Sequence, residues 1–228
     1  MHLVKSNFDL TTSSPSQTIM KKNLNPTIIL ASSSPRRIEL MQNLGLRFEI
    51  LPADIDEVTE HAQVPAEMVV ELAYLKAKRV QELVNEKRAK LVKQPHVILA
   101  ADTIVVLDGD VLGKPSDRAD AISMLTRLSG NCHEVFTGVH VINCRPEGTV
   151  SYQDVGVSKV YFRQLQKTEI EHYVDTKEPM DKAGAYALQG IGAFLVEKIE
   201  GCPTNIIGLP ITRTVALLRK CQISILGC

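Results

Sequence analysis

Hydrophobic and polar positions change their period many times along the chain, and each change marks an element. Pro26 to Ala31 is apolar at nearly every position, as in a short buried strand. Ser34 follows as N-cap and Pro35 as first helical residue, and Ile38, Leu40, Met41 and Leu44 then supply an apolar face that ends at Gly45. Arg47 to Leu51 predicts a second strand. From Pro65 to about Leu91, Met68, Val69, Leu72, Leu75, Val80, Leu83 and Val84 recur at helical spacing with Lys and Glu opposite, which is one long helix or two. Pro95 stops that pattern. The run HVILAADTIVVL (residues 96–107) is then long, apolar and β-branched with a single charge, and Asp108-Gly109 after it signals a tight turn.

In the second half, Ser116 is expected to cap a helix carrying Ala119, Ile122, Met124, Leu125 and Leu128, closed by Gly130. HEVFTGVHVINC (residues 133–144) and SYQDVGVSKVYFRQL (residues 151–165) alternate as paired strands do, with Pro146 and Gly148 in the turn between them. Thr168 and Glu171 have capping-box spacing at the start of a short helix reaching Thr176. Beyond the glycine-rich DKAGAYALQGIG (residues 181–192), AFLVEKIEG predicts a strand, and Pro210 opens a last helix through Leu218. Strands and helices alternate, with hairpins in the middle, so the class is α/β with a mixed sheet.

Composition narrows the function classes. Lys plus Arg and Asp plus Glu both total 26, so the formal net charge is zero and the chain carries no overall signature of a nucleic-acid or membrane-surface binder. Recognition of an anion must therefore be local. The five cysteines (Cys132, Cys144, Cys202, Cys221, Cys228) are odd in number, scattered and without a C-x-x-C pair, which argues against a disulfide framework or a zinc site and for a reducing, cytoplasmic compartment. No apolar run approaches the roughly 18 residues of a membrane span. Residues 1–25 lack sustained periodicity and are rich in Ser and Thr, so they are expected to be a flexible extension. Asp9 and the absence of arginine there count against a mitochondrial presequence.

Four stretches break local rules. Arg36 and Arg37 occupy the first turn of a helix, where the macrodipole and unpaired N–H groups favour anions. With Ser32, Ser33 and Ser34 beside them they form either a phosphate cradle or a solvated helix start. Asp102 interrupts a core-like strand, so it is either delivered to solvent by a bulge or held at a cleft as a general base or metal ligand. Asp54, Asp56 and Glu57 follow a strand, as an ordinary acidic loop or as carboxylates that need Mg²⁺ between them and a phosphate. The glycines at 184, 190 and 192 flank Tyr186 and Gln189, and a glutamine amide can read a base edge because it both donates and accepts.

Taken together, LASSSPRRIELM, DIDE, ELAYLKAKRV, AADTIVVLDGDVLGKPSD, MLTRLSG, VFTGV, KEPMDKAGAYALQGIGAFLVEKIEG and NIIGLPI resemble, in order from about residue 28 to 219, the Maf family of nucleoside triphosphate pyrophosphatases. The resemblance implies a mixed, twisted sheet in two lobes around a nucleotide-binding cleft, similar to the inosine triphosphatase-like fold. It places the catalytic domain at residues 26–222 and leaves 223–228 as a tail. It also implies hydrolysis of a triphosphate to the monophosphate and pyrophosphate with Mg²⁺ or Mn²⁺, by a homodimer with no nucleic-acid or membrane partner. Asp102 then corresponds to the proton acceptor, Glu57 to its metal-associated partner (the metal being shared by Glu57 and Asp102), and Ser32, Arg37, Lys76 and Lys114 to the phosphate-handling set. Arg36, Thr103 and Gln189 match positions that set base preference in the branch acting on dTTP and UTP. The branch preferring 7-methyl-GTP carries a tryptophan between the proline and the arginine pair. Here SPRR is continuous and the chain holds no tryptophan, which favours pyrimidines. A modified-nucleotide pyrophosphatase and a non-catalytic nucleotide-binding regulator of cell division are the alternatives.

Overall fold

A computed structural model describes residues 26–55, 64–87 and 94–225. Seven strands form one open mixed sheet, in the order β2 (Phe48–Ile50), β1 (Thr27–Leu30), β3 (His96–Leu107), β5 (Cys132–Arg145), β6 (Gly148–Phe162) and β7 (Val196–Glu200), with β4 (Asp110–Leu112) pairing only to the far end of β3. β1 is parallel to both β2 and β3, and the remaining pairs are antiparallel. β3 spans all twelve residues of its apolar run and is buried along nearly its whole length, because helices and loops cover both of its faces. At its end Asp108 and Gly109 both have positive φ, 52° and 87°, as a tight hairpin into β4 requires.

Helix α1 (Pro35–Asn43) follows β1, and α2 (Pro65–Lys87) is one continuous helix rather than two. Next come α3 (Arg118–Leu128) and α4 (Lys167–Asp175), then three short 3₁₀ turns through the glycine-rich segment, α5 (Pro203–Ile207) and α6 (Ile211–Lys220). Two caps differ from expectation. Asp117, not Ser116, caps α3 by accepting from the Asp120 N–H at 2.9 Å, while Ser116 itself donates to the Asp120 carboxylate. A carboxylate at the N-cap also answers the helix dipole, which a serine hydroxyl does not. At α4 the capping box is Gln166 with Glu169, not Thr168 with Glu171. Glu169 reaches back to the Gln166 N–H at 2.8 Å and is gripped from outside by both Nη atoms of Arg163.

The core divides along β3. Its first half packs on one face against α1, α6 and the closing Ile223 and Ile225, and on the other against Ala77, Val80 and Val84 of α2. Its second half, with Val105 and Leu107, joins α3, α4, the ends of β5 and β6, and the aromatic residues Tyr173 and Tyr186 in a separate cluster. Two lobes thus share one strand. β1 pairs with β3 only as far as Leu30 opposite Leu99, and β4 begins its pairing at Val105, so that flank of β3 is open between Ala100 and Ile104. The gap lies at the carboxyl end of β1, where chains in open α/β sheets turn and ligands bind.

Candidate functional site

A cleft of about 360 Å³ opens at that gap. The sequence brings its walls there in a few steps. β1 must end for the chain to enter α1, and the turn Ser32–Ser34 places Arg36 and Arg37 over the open flank of β3. Ser34 makes no side-chain cap and the first turn holds no acid, so the positive end of the helix and the charge of both arginines favour an anion there. Asp102 and Thr103 present themselves from β3, Lys76 from α2, Lys114 from the loop after β4, and Gln189 from the glycine-rich segment, all lining the same cleft. Every expected site residue except Glu57 therefore converges here. Glu57 and Asp56 lie outside the described residues.

Asp102 is not carried to solvent by a bulge. It sits in regular register opposite Gly138 of β5, is 5% exposed, and accepts from Lys76 Nζ at 2.5 Å. Lys76 is itself only 7% exposed, so two opposite charges compensate each other at the floor of the cleft. The sequence allows this contact through Gly138. A methyl group there would overlap the Val69 backbone, so glycine is what lets α2 lie close enough for Lys76 to reach β3.

Arg37 is fixed on three sides. Its Nε donates to the Gly208 carbonyl at 2.8 Å, Nη1 to Ser32 Oγ at 3.4 Å, and Nη2 to Thr103 Oγ1 at 3.1 Å. Gly208, at the end of α5, has φ +117° and turns its carbonyl to this guanidinium. Arg36 points elsewhere, to the Asp181 carboxylate at 3.6 Å near the cleft rim. The two arginines thus have separate surroundings, Arg37 locked over the β1–β3 gap and Arg36 held toward the glycine-rich segment. Gln189 lines the cleft and is partly buried, and its Oε1 is shielded from solvent with no hydrogen-bond partner among the described residues.

Sequence reasoning missed Lys182 and Asp181. Lys182 Nζ donates to the Glu178 carbonyl at 2.7 Å and to Asp181 at 2.5 Å, and both residues line the cleft. Burial pushes the Asp181 carboxyl upward, but the bonded Lys182 and nearby Arg36 outweigh it, and its pKa falls below the ordinary value. Nothing in the local pattern DKAG distinguishes this lysine from a surface one. Among the described lining residues, five cations (Arg36, Arg37, Lys76, Lys114, Lys182) face two carboxylates (Asp102, Asp181), so the cleft attracts a polyanion in a chain of zero net charge.

The described residues contain no group of three or more His, Cys, Asp or Glu able to cage a metal ion. Mg²⁺ does not need one, since it is held through one or two carboxylates, waters and substrate phosphates. Asp102, one of the two carboxylates among the described lining residues, with a polyphosphate beside it fits that habit. Among the described residues, no helix is long and apolar enough to cross a membrane.

Comparison with known proteins finds relatives over most of the chain. Curated relatives named dTTP/UTP pyrophosphatase include one from Acetivibrio thermocellus, 47% identical over 199 residues that cover 87% of this chain and 97% of the relative. Others come from Caldanaerobacter subterraneus subsp. tengcongensis, 46% identical over 195 residues (85% and 88%), and Clostridioides difficile, 45% identical over 194 residues (85% and 94%). The profile of the family described as Maf-like protein matches residues 27–221, from the first strand to the end of the last helix, and the chain belongs to the Maf family.

Proposed function

We propose that this protein is a nucleoside triphosphate pyrophosphatase that hydrolyses dTTP, UTP and related pyrimidine nucleotides to the monophosphate and pyrophosphate. The observation that carries the reading is the convergence of Asp102 and five cations on one cleft, in a chain that resembles dTTP/UTP pyrophosphatases over most of its length. In this reading Arg37, Lys114 and Lys182 take the phosphate oxygens, and the positive end of the α1 dipole adds to that attraction. Asp102 orients a water toward the α-phosphorus and takes its proton as the new P–O bond forms. The α–β bridging bond breaks, and pyrophosphate leaves with its charge balanced by the cations. Lys76 acts by holding the carboxylate in place and offsetting its charge in a buried setting. A divalent ion, Mg²⁺ or Mn²⁺, would be held by Asp102 and Glu57. When bound it would neutralise charge on the phosphate oxygens.

Base choice falls in this reading to Arg36, Thr103 and Gln189, with the unpartnered Gln189 Oε1 supporting that assignment. Among the described residues no cysteine or histidine lines the cleft, which disfavours a thiol nucleophile or histidine phosphotransfer. We further take the protein to act in the cytoplasm as a homodimer, checked by light scattering and by imaging of the tagged full chain. The activity test is a panel of triphosphates with Mg²⁺ or Mn²⁺, following pyrophosphate and orthophosphate separately. Pyrophosphate from UTP and dTTP, lost in Asp102→Asn, supports the assignment, and orthophosphate release or an unaffected Asp102→Asn variant refutes it.

A further inference from the structure

We propose that Thr137, a fully buried residue behind the cleft wall, fixes the Thr103 hydroxyl as a hydrogen-bond acceptor toward the bound nucleoside and so takes part in selecting it. The proposal rests on the cleft being a nucleoside triphosphate site. It begins at Asn205, whose backbone carbonyl can only accept and lies 2.8 Å from Thr137 Oγ1. A hydroxyl has one proton, and Thr137 commits it there. Thr137 and Thr103 face each other across β5 and β3 with their Oγ1 atoms 2.9 Å apart, so the proton between them belongs to Thr103. Arg37 Nη2, which only donates, occupies one Thr103 lone pair at 3.1 Å. What Thr103 has left for a ligand is a lone pair.

The direction of this relay is locked. Thr137 and Asn205 are both 0% exposed, and the Asn205 side chain is tied to the Val135 carbonyl at 2.9 Å and to Ser158 Oγ at 3.1 Å, so no water or ligand can turn the chain of protons round. Phosphate oxygens are acceptors too, so Thr103 does not serve the triphosphate although Arg37 and Ser32 adjoin it. Its partner must bring an N–H or an O–H. A nucleoside offers two such sources, the imide N–H of uracil or thymine and a sugar hydroxyl. Cytosine presents a bare ring nitrogen where uracil has that N–H, and a lone pair facing a lone pair is disfavoured. Gln189, which lines the same cleft, carries a further acceptor, Oε1, with no partner among the described residues.

The test compares kcat/KM on UTP, CTP and dUTP for the full-length protein and its Thr137→Val and Thr137→Ser variants, with folding checked by thermal melts. Valine frees the Thr103 proton to turn into the cleft, whereas serine keeps the relay. If the base N–H is the partner, the preference for UTP over CTP falls by roughly fivefold or more in Thr137→Val and returns in Thr137→Ser. If a sugar 2′-hydroxyl is the partner, the UTP to dUTP ratio shifts instead. Both results support the relay. Ratios that stay within about twofold of wild type in a folded Thr137→Val, or a serine variant that behaves like valine, overturn it. Should Thr137→Val not fold, the wild-type protein decides: equal turnover of UTP, 3-methyluridine triphosphate and dUTP refutes the acceptor role. Absence of any pyrimidine triphosphate turnover by the wild type would instead refute the pyrophosphatase reading.

Discussion

Replacing Lys76 by methionine keeps most of the side chain's length and deletes its charge, which removes the compensation of Asp102 at the cleft floor. At 2.5 Å the pair's gross attraction is about 7 kcal/mol with an effective dielectric constant of about 20. Desolvation of two ions, with side chains 9% and 7% exposed, removes most of that, so the intact pair is worth little to folding. Breaking it is different, because the Asp102 carboxylate remains buried among apolar strand residues without its cation. Truncating one partner of a buried pair costs about 3–5 kcal/mol. The open side of the cleft lets some water reach the carboxylate, which points to the lower end of that range. For a domain of this size about 3 kcal/mol lowers Tm by roughly 6–12 °C. The assay is urea and thermal unfolding of Lys76→Met, Asp102→Asn and the double variant. The double variant should recover most of the loss, with a coupling of about 2 kcal/mol or more. A Lys76→Met cost below about 0.5 kcal/mol, or strictly additive effects, would refute the compensation argument.

Gly138→Ala should be destabilised by about 1–3 kcal/mol and lose activity more than stability explains, because the added methyl drives α2 and Lys76 away from Asp102; wild-type turnover at reduced Tm would contradict this. His133 is buried against Phe162 and Tyr186, and burial lowers its pKa from 6.5 to about 4. The unfolded chain therefore takes up the proton first, and stability should fall as pH drops from about 6.5 toward 4, by roughly 3 kcal/mol in all. His133→Phe should flatten that slope, read from urea midpoints across the pH range. Glu178 accepts from the Ile191 and Gly192 N–H groups at 3.0 and 2.8 Å and from Tyr173 at 2.9 Å, fastening the segment that carries Gln189. Glu178→Ala should raise KM and blur the preference for pyrimidine over purine triphosphates, and unchanged relative rates across the panel would count against that role.

Much of this site was legible in one dimension because it violates local rules. Asp102 stands out as a charge in a β-branched run, and Arg36 and Arg37 as cations at the positive end of a helix. Both anomalies are resolved by a cleft at a strand's open flank. Lys182 left no such mark, since a lysine in a glycine-rich segment looks solvated, and only the fold brings it and its neighbour Asp181 to Arg36. The Thr137–Asn205 contact joins residues 68 apart and leaves no periodicity to detect. Helix α5 was overlooked for a related reason: five residues are too few to show an amphipathic repeat. The two misplaced caps fell among adjacent polar residues, Ser116 with Asp117 and Gln166 with Thr168, where carboxylate reach and the Arg163 anchor decided the outcome.

Hydrolysis in water enriched in ¹⁸O tests the central claim most directly, with UTP as substrate and mass spectrometry of both products. Attack on the α-phosphorus by a water that Asp102 activates places one label in uridine monophosphate and none in pyrophosphate, with labelling abolished in Asp102→Asn. Label in pyrophosphate or in orthophosphate would put the attack at another phosphorus and contradict the account.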